Sequence, residues 1–267
     1  MTKFNEIGFL ASELEGWTAQ VRDEFKLKFN LADRINRLGM KMLFDLPVEN
    51  MSEAHILGNL CFGRALQSFQ CALLPAERGA LADARTLVRS CVESVVMLSA
   101  LKIDSDLPAR LVEDHDAHRL SFVNAFLDRD NQVDILNSEQ VLNYQSMKAE
   151  ILAKYPNRKP RDVKLAELAV KGGVLDLYNI AYRQASGDGA HPTVLALDRH
   201  VSKDASGNMA GFKFHPEKSD LNETLYLACG AMLQAAGLVA DWLGLEKHRA
   251  ELTDCIQEFA QQNPLAA

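Results

Sequence analysis

The stretch Leu81-Ala-Asp-Ala-Arg85-Thr-Leu-Val-Arg89-Ser-Cys-Val-Glu93-Ser-Val-Val-Met-Leu-Ser-Ala-Leu-Lys-Ile103 is the most apolar long helical run in the chain. Leu87, Val88, Cys91, Val92, Val95, Val96, Leu98 and Leu101 leave little of its circumference polar. That pattern belongs to a helix surrounded by other helices. It is read as the centre of a bundle, and the stretches around it are read as its walls.

Working outward, Ser52-Glu-Ala-His opens a helix that runs to Leu74, with Ile56, Leu57, Leu60, Ala65, Leu66, Phe69, Ala72 and Leu73 on one broad stripe. Pro75 and Gly79 bracket its connection to the central helix. Asn5 to Leu46 is helical in period, divided or bent at Gly8, Gly16 and Gly39 and ended by Pro47. Downstream, Asp104-Ser-Asp with Pro108 starts a helix over Leu107–Leu127, in which Leu111, His118, Phe122, Ala125 and Phe126 share a stripe. Helices are expected at Ser138–Tyr155, from an Asp162 cap to Gly172-Gly173, and at Val174–Ala185.

Residues 187–218 behave differently: Val194-Leu-Ala-Leu and Met209–His215 read as two short extended pieces around a hairpin turn at Ser202–Asn208. A long apolar helix from Asp220 through Leu243 and an amphipathic one over Leu245–Gln262 follow. The expected fold is all-α: a multi-helix bundle of eight or nine helices with a loop and short β-hairpin excursion at 187–218. It is expected as one helical domain over 1–267, with an N-terminal helical segment at 1–46 and the main bundle at 50–262.

Hydrophobic residues make up 48% and charged residues 24% of the 267, the balance of an ordinary globular protein rather than a disordered chain. The net charge of −7 argues against loose polyanion binding over a basic surface, while leaving room for a local basic pocket. Cys61, Cys71, Cys91, Cys229 and Cys255 are odd in number and show no C-x-x-C spacing, so they are expected to be reduced thiols. The start, Met1-Thr-Lys-Phe-Asn-Glu, has no basic region followed by an apolar run. No stretch reaches about 18 consecutive apolar residues. A cytoplasmic protein with no membrane partner is therefore expected.

Three constellations could carry chemistry. Arg89 and Glu93, four apart on the apolar central helix with Arg85 one turn before, share a helix face and must find partners, because an unpaired buried charge is costly. They form either a satisfied core network or an anchor for an anionic group. Tyr182-Arg183-x-x-Ser186-x-Asp188-x-x-His191 places a phenol, guanidinium, hydroxyl, carboxylate and imidazole around a helix end. That set suits acid–base work on a phosphodiester, with His191 moving the proton and Arg183 stabilising the developing charge, and Ser186 and Asp188 as binding residues. It equally suits simple helix termination at Gly187 and Gly189. No G-x-S-x-G precedes Ser186, so a serine hydrolase is not expected. The third group, Asp114, His115 and His118, has helical spacing for a metal but matches no metal motif, so neither a metal nor a cofactor is expected.

Arg89-Ser-Cys-Val-Glu93, followed far downstream by Tyr182-Arg-Gln-Ala-Ser186 and His191-Pro192, resembles a pattern found in uncharacterised bacterial all-helical proteins, over roughly residues 50 to 240. That group in turn is similar, distantly, to the HEPN helical bundles. The resemblance implies a homodimer and, for many HEPN members, metal-independent ribonuclease activity. HEPN proteins leave four to six residues between an arginine and a histidine, whereas seven residues separate Arg183 from His191 here. Two functions stand side by side. One is a non-catalytic binding or assembly module of a cytoplasmic, defence-related system. The other is a HEPN-like ribonuclease or nucleotide-handling enzyme, with RNA or a nucleotide as partner, using His191 with Arg183 and Arg89, supported by Glu93 and Tyr182.

Overall fold

The structure is a computed structural model that describes residues 3–133, 135–187 and 193–262, the side chains of 130–133 and 195 excepted. The chain runs through α1 (Phe4–Ile7), a 3-10 turn (Gly8–Leu10), α2 (Leu14–Glu24), α3 (Lys26–Phe44), α4 (Glu53–Glu77), α5 (Leu81–Ile103), α6 (Leu107–Val133) and α7 (Ser138–Ala153). α8 (Leu165–Lys171) leads into a composite helix made of α9 (Leu175–Leu177), a π-helical turn (Tyr178–Tyr182) and α10 (Arg183–Ala185). Then come α11 (Val194–Asp198), the antiparallel strands β1 (Val201–Lys203) and β2 (Met209–Phe212), α12 (Leu221–Trp242) and α13 (Arg249–Gln261).

The all-α expectation with a small hairpin holds, but the helical segments outnumber the expected eight or nine because several are single turns. α5 is enclosed as its composition requires: Val88, Cys91, Val92, Val95, Val96 and Leu98 have no exposed surface. α4 folds back along it after the Arg78–Ala80 turn, where Gly79 adopts φ +76°. α12 lies across α5, α4 and α3, and α13 covers α12 and α3. α8 and the π turn cover another side of α5. α12 is long and apolar enough to cross a membrane, yet 67% of its most apolar window is buried among these helices. The five thiols are free, and burial pushes those of Cys91 and Cys229 up to about 12.

Gly172-Gly173 directs the chain toward the composite helix. Gly173, at φ +70°, closes a Schellman motif in which Val174 N–H donates to Ala169 C=O (2.9 Å) and Gly173 N–H to Val170 C=O (3.2 Å). A Cβ on Gly172 would lie 2.2 Å from Ser99 Oγ and 3.0 Å from the Ala100 backbone nitrogen. The pair lets α8 approach α5 this closely.

Several local expectations are corrected. Pro75 lies inside the last turn of α4, where it forfeits a single ladder bond. Asp162 is not a helix cap: it pairs with Lys164, and α8 starts without a side-chain cap. Val194-Leu-Ala-Leu is helical, not extended, because Thr193 Oγ1 accepts the Ala196 N–H at 3.1 Å and caps α11. The first strand is Val201–Lys203 instead. On α6 the buried stripe is Leu107, Asp116, Leu120 and Val123, while His118 is 74% exposed. Phe122 and Phe126 turn to Tyr144 of α7, so α6 serves two partners and no single stripe describes it.

Asp116, 2% exposed, is held by Lys154 Nζ (3.0 Å), Tyr155 Oη (3.0 Å) and, further off, Arg119 (3.6 Å). Burial pushes its carboxyl up, but the hydrogen bonds and charges of these partners outweigh burial and hold it below the usual value. A depressed folded pKa gives stability that is complete above the unfolded value of about 3.9 and lost as pH falls through the folded one. Wild type should therefore lose more stability than Asp116→Asn between about pH 5 and pH 3 in urea titrations; parallel losses would refute this role. Gly172→Ala should cost about 1–3 kcal/mol in the same assay through overpacking against Ser99, and an unchanged midpoint would show that the contact can relax.

Candidate functional site

α5 needs its polar residues satisfied, and two separate segments satisfy them. Arg85 is only 3% exposed, and its guanidinium reaches α12: Nε donates to Thr224 Oγ1 (3.1 Å) and Nη2 to Glu223 Oε2 (2.5 Å). Thr224 Oγ1 donates in turn to the Asp220 carbonyl at 2.8 Å. The other Glu223 oxygen accepts from Gln184 Nε2, so one carboxylate joins α5, α10 and α12.

One helical turn on, Arg89 faces the composite helix. Its Nε donates to Glu93 Oε1 (3.1 Å), the i,i+4 pairing its spacing predicts, and Nη2 donates to Tyr182 Oη (3.1 Å). The guanidinium also lies 5.0 Å from the centroid of the Tyr182 ring. Tyr182 stacks on Tyr178, with centroids 4.8 Å apart and planes at 16°, and Arg183 sits 5.7 Å over the far ring. The order Arg89, Tyr182, Tyr178, Arg183 is thus a stack with a cation at each end. The Arg89 and Glu93 side chains are 23% and 36% exposed, which leaves the group half open to solvent.

This stack sits on the π turn. The Arg183 N–H reaches back five residues to the Tyr178 carbonyl, and one extra residue is accommodated in the turn. Such bulges are uncommon and recur at functional sites. Ala181 and Ala185, small and buried, let the turn lie against α5. Beyond it, Ser186 Oγ is buried with no hydrogen-bond partner among the described residues. Thr193 Oγ1 donates to the Gly187 carbonyl, so the two ends of the following segment are pinned together.

The structure therefore brings together Arg89, Glu93, Tyr182 and Arg183 of the expected set, with Ser186 at the end of the same helix. His191 and Asp188 lie outside the described residues. The metal candidates do not gather: Asp114 Oδ1 accepts the Val163 N–H (2.6 Å), His118 is 3.6 Å from Asp114 Oδ2, and His115 is exposed. Among the described residues no group of three or more metal-binding side chains forms. Sequence reasoning missed Tyr178, which its four-residue spacing from Tyr182 could have revealed. It also missed Glu223, Gln184 and Thr224, whose contacts with Arg85 or with one another span tens of residues and carry no local signal.

The profile of a family of unknown function, DUF5677, matches residues 55–209. That is more than half of the chain, and the chain belongs to this family. The matched region holds Arg85, Arg89, Glu93 and the whole composite helix, while Glu223 and the rest of α12 lie beyond it. Comparison with curated proteins and with solved structures finds no match.

The two arginines differ in burial, and their partners should differ in cost. Glu223→Ala removes an ion partner of the buried Arg85 and the link to Gln184, and should destabilise by about 2 kcal/mol or more. Glu93→Ala, beside a half-open arginine, should cost less than about 1 kcal/mol. Urea unfolding of both variants checks the order, and a reversed order would overturn this account of the network.

Proposed function

We propose that this DUF5677 member is a binding module that captures an anionic group, of the kind carried by a nucleotide or an RNA strand, on Arg89. The observation that carries the reading is the state of that guanidinium. Two of its N–H donors are fixed by Glu93 and Tyr182, which sets its plane, and the group still reaches solvent. An arginine oriented in advance, with donors to spare, suits a phosphate or carboxylate better than a freely rotating one. The tyrosine stack beside it offers an edge against which a base could lie, and Arg183 adds a second cation. The net charge of −7 limits this to a local site rather than a surface for long polyanions.

A second reading, HEPN-like metal-independent RNA cleavage, draws support from two guanidiniums and a phenol at the end of the helix that leads to His191. In it, His191 takes the 2′-hydroxyl proton as that oxygen attacks phosphorus and the 5′-oxygen leaves, Arg89 stabilises the five-coordinate phosphorus, and Arg183, at the other end of the stack, holds a neighbouring phosphate.

Fluorescence anisotropy with a labelled ten-nucleotide RNA, at two salt concentrations, tests the first reading. Arg89→Ala should weaken binding by about tenfold and flatten the salt dependence. Equal affinity for wild type and variant would end it. Gel analysis of the same RNA in chelator separates the second. Cleavage that His191→Ala and Arg89→Ala both abolish would establish an enzyme, and intact RNA throughout would leave binding alone.

A further inference from the structure

A cavity lies away from Arg89, where three distant parts of the chain meet. It encloses about 490 Å³, within the range of small-molecule sites. Phe9 and Phe214 form one wall and meet edge to face, with centroids 5.6 Å apart. Ala196 and Leu197 of α11 form another, and the start of α5 (Leu81, Ala82, Asp83) forms the floor. Neither Arg89, Glu93 nor Tyr182 lines it.

The walls are locked to one another by hydrogen bonds. Glu217 N–H donates to the Gly79 carbonyl at 3.0 Å, and Arg78 Nη1 donates to the Phe9 carbonyl at 3.2 Å. Gly79 is required at that junction: at φ +76°, a Cβ would lie 2.6 Å from the Glu217 backbone nitrogen. A cavity framed by hydrogen bonds between segments some 70 to 140 residues apart is preformed, which lowers the ordering cost of binding.

Its chemistry is two-sided. Most of the lining is apolar or aromatic. The polar lining balances in formal charge with the histidines neutral, but nitrogen-bearing side chains outnumber carboxylates: Lys213 is paired with Glu217, Arg199 with Asp220, and His200 and His215 complete the set. His215 uses Nδ1 on the Pro216 carbonyl (2.9 Å). Asp83 and Glu217 are the acidic members. The first N–H groups of α5 also open here without a side-chain cap, because the residue before them is Ala80.

We propose that this cavity binds a small aryl monoanion, a carboxylate or phosphate ester on a flat apolar ring system. The ring lies among Phe9, Phe214 and Leu197, and the anionic group points to Lys213 and His200. This site is independent of the Arg89 reading.

Isothermal titration of the full chain with 2-naphthoate, 2-naphthyl phosphate and the neutral 2-naphthalenemethanol tests it. One anion or both should bind saturably at a single site, and the alcohol should bind about tenfold or more weakly. Ala196→Trp, which fills the cavity, should abolish binding, and Lys213→Met should weaken it about tenfold. Phe214→Ala, at a 63% exposed position that does not threaten folding, should weaken it several-fold. Arg89→Ala should leave it unchanged, separating this site from the other. No saturable binding of either anion, equal affinity for the alcohol, or binding indifferent to both Phe214→Ala and Lys213→Met would overturn the proposal.

Discussion

A guanidinium placed inside the most apolar helix of the bundle is the constraint on which the polar architecture depends. Arg85 cannot be hydrated where it lies, and a buried charge without partners would cost several kcal/mol. Its demand is met by the first turn of α12, through Glu223 and Thr224, and Glu223 in turn holds Gln184 of α10. Three elements are thereby fixed relative to one another around a single side chain. Arg89 is then presented to the composite helix at the edge of this locked core, rigid on one side and wet on the other.

The entry to that helix is fixed by a second buried charge. Asp104, 4% exposed, receives Lys171 at 2.6 Å and Arg110 at 2.8 Å. The Lys171 hydrogen bond holds its carboxyl below the usual range against the effect of burial. Lys171 is the last residue of α8, immediately before the glycine that meets Ser99. An ion pair and a steric contact thus set the same junction, so the π turn begins from a defined point rather than from a loose loop.

What could be read from sequence follows the range of the signal. α5 announces itself through its own apolar composition, and Arg89–Glu93 through a four-residue spacing. The caps at Ser52 and Thr193 are equally local, but the short apolar run after Thr193 reads as extended as readily as helical, and the cap decides for α11. α6 misled because Phe122 and Phe126 answer to α7 and not to the core. Tyr182 could be named for its chemistry, but its bond to Arg89 spans 93 positions. The π turn has no compositional mark at all. Glu223 looks like any acidic residue in the first turn of a helix, where such residues are common for dipole reasons alone.

The position of α12 has a consequence for how the molecule is made. Its helical partners α3, α4 and α5 are all synthesised long before it, α3 by about two hundred residues. Until it arrives, those helices hold an open apolar trough, and α12 itself emerges as a segment greasy enough to suit a lipid bilayer. Closure of that trough has to bridge most of the chain's length, and loop-closure entropy makes such late, long-range docking slow. The interval before docking is when the nascent polypeptide is most exposed to misassembly and to capture by a membrane or a chaperone.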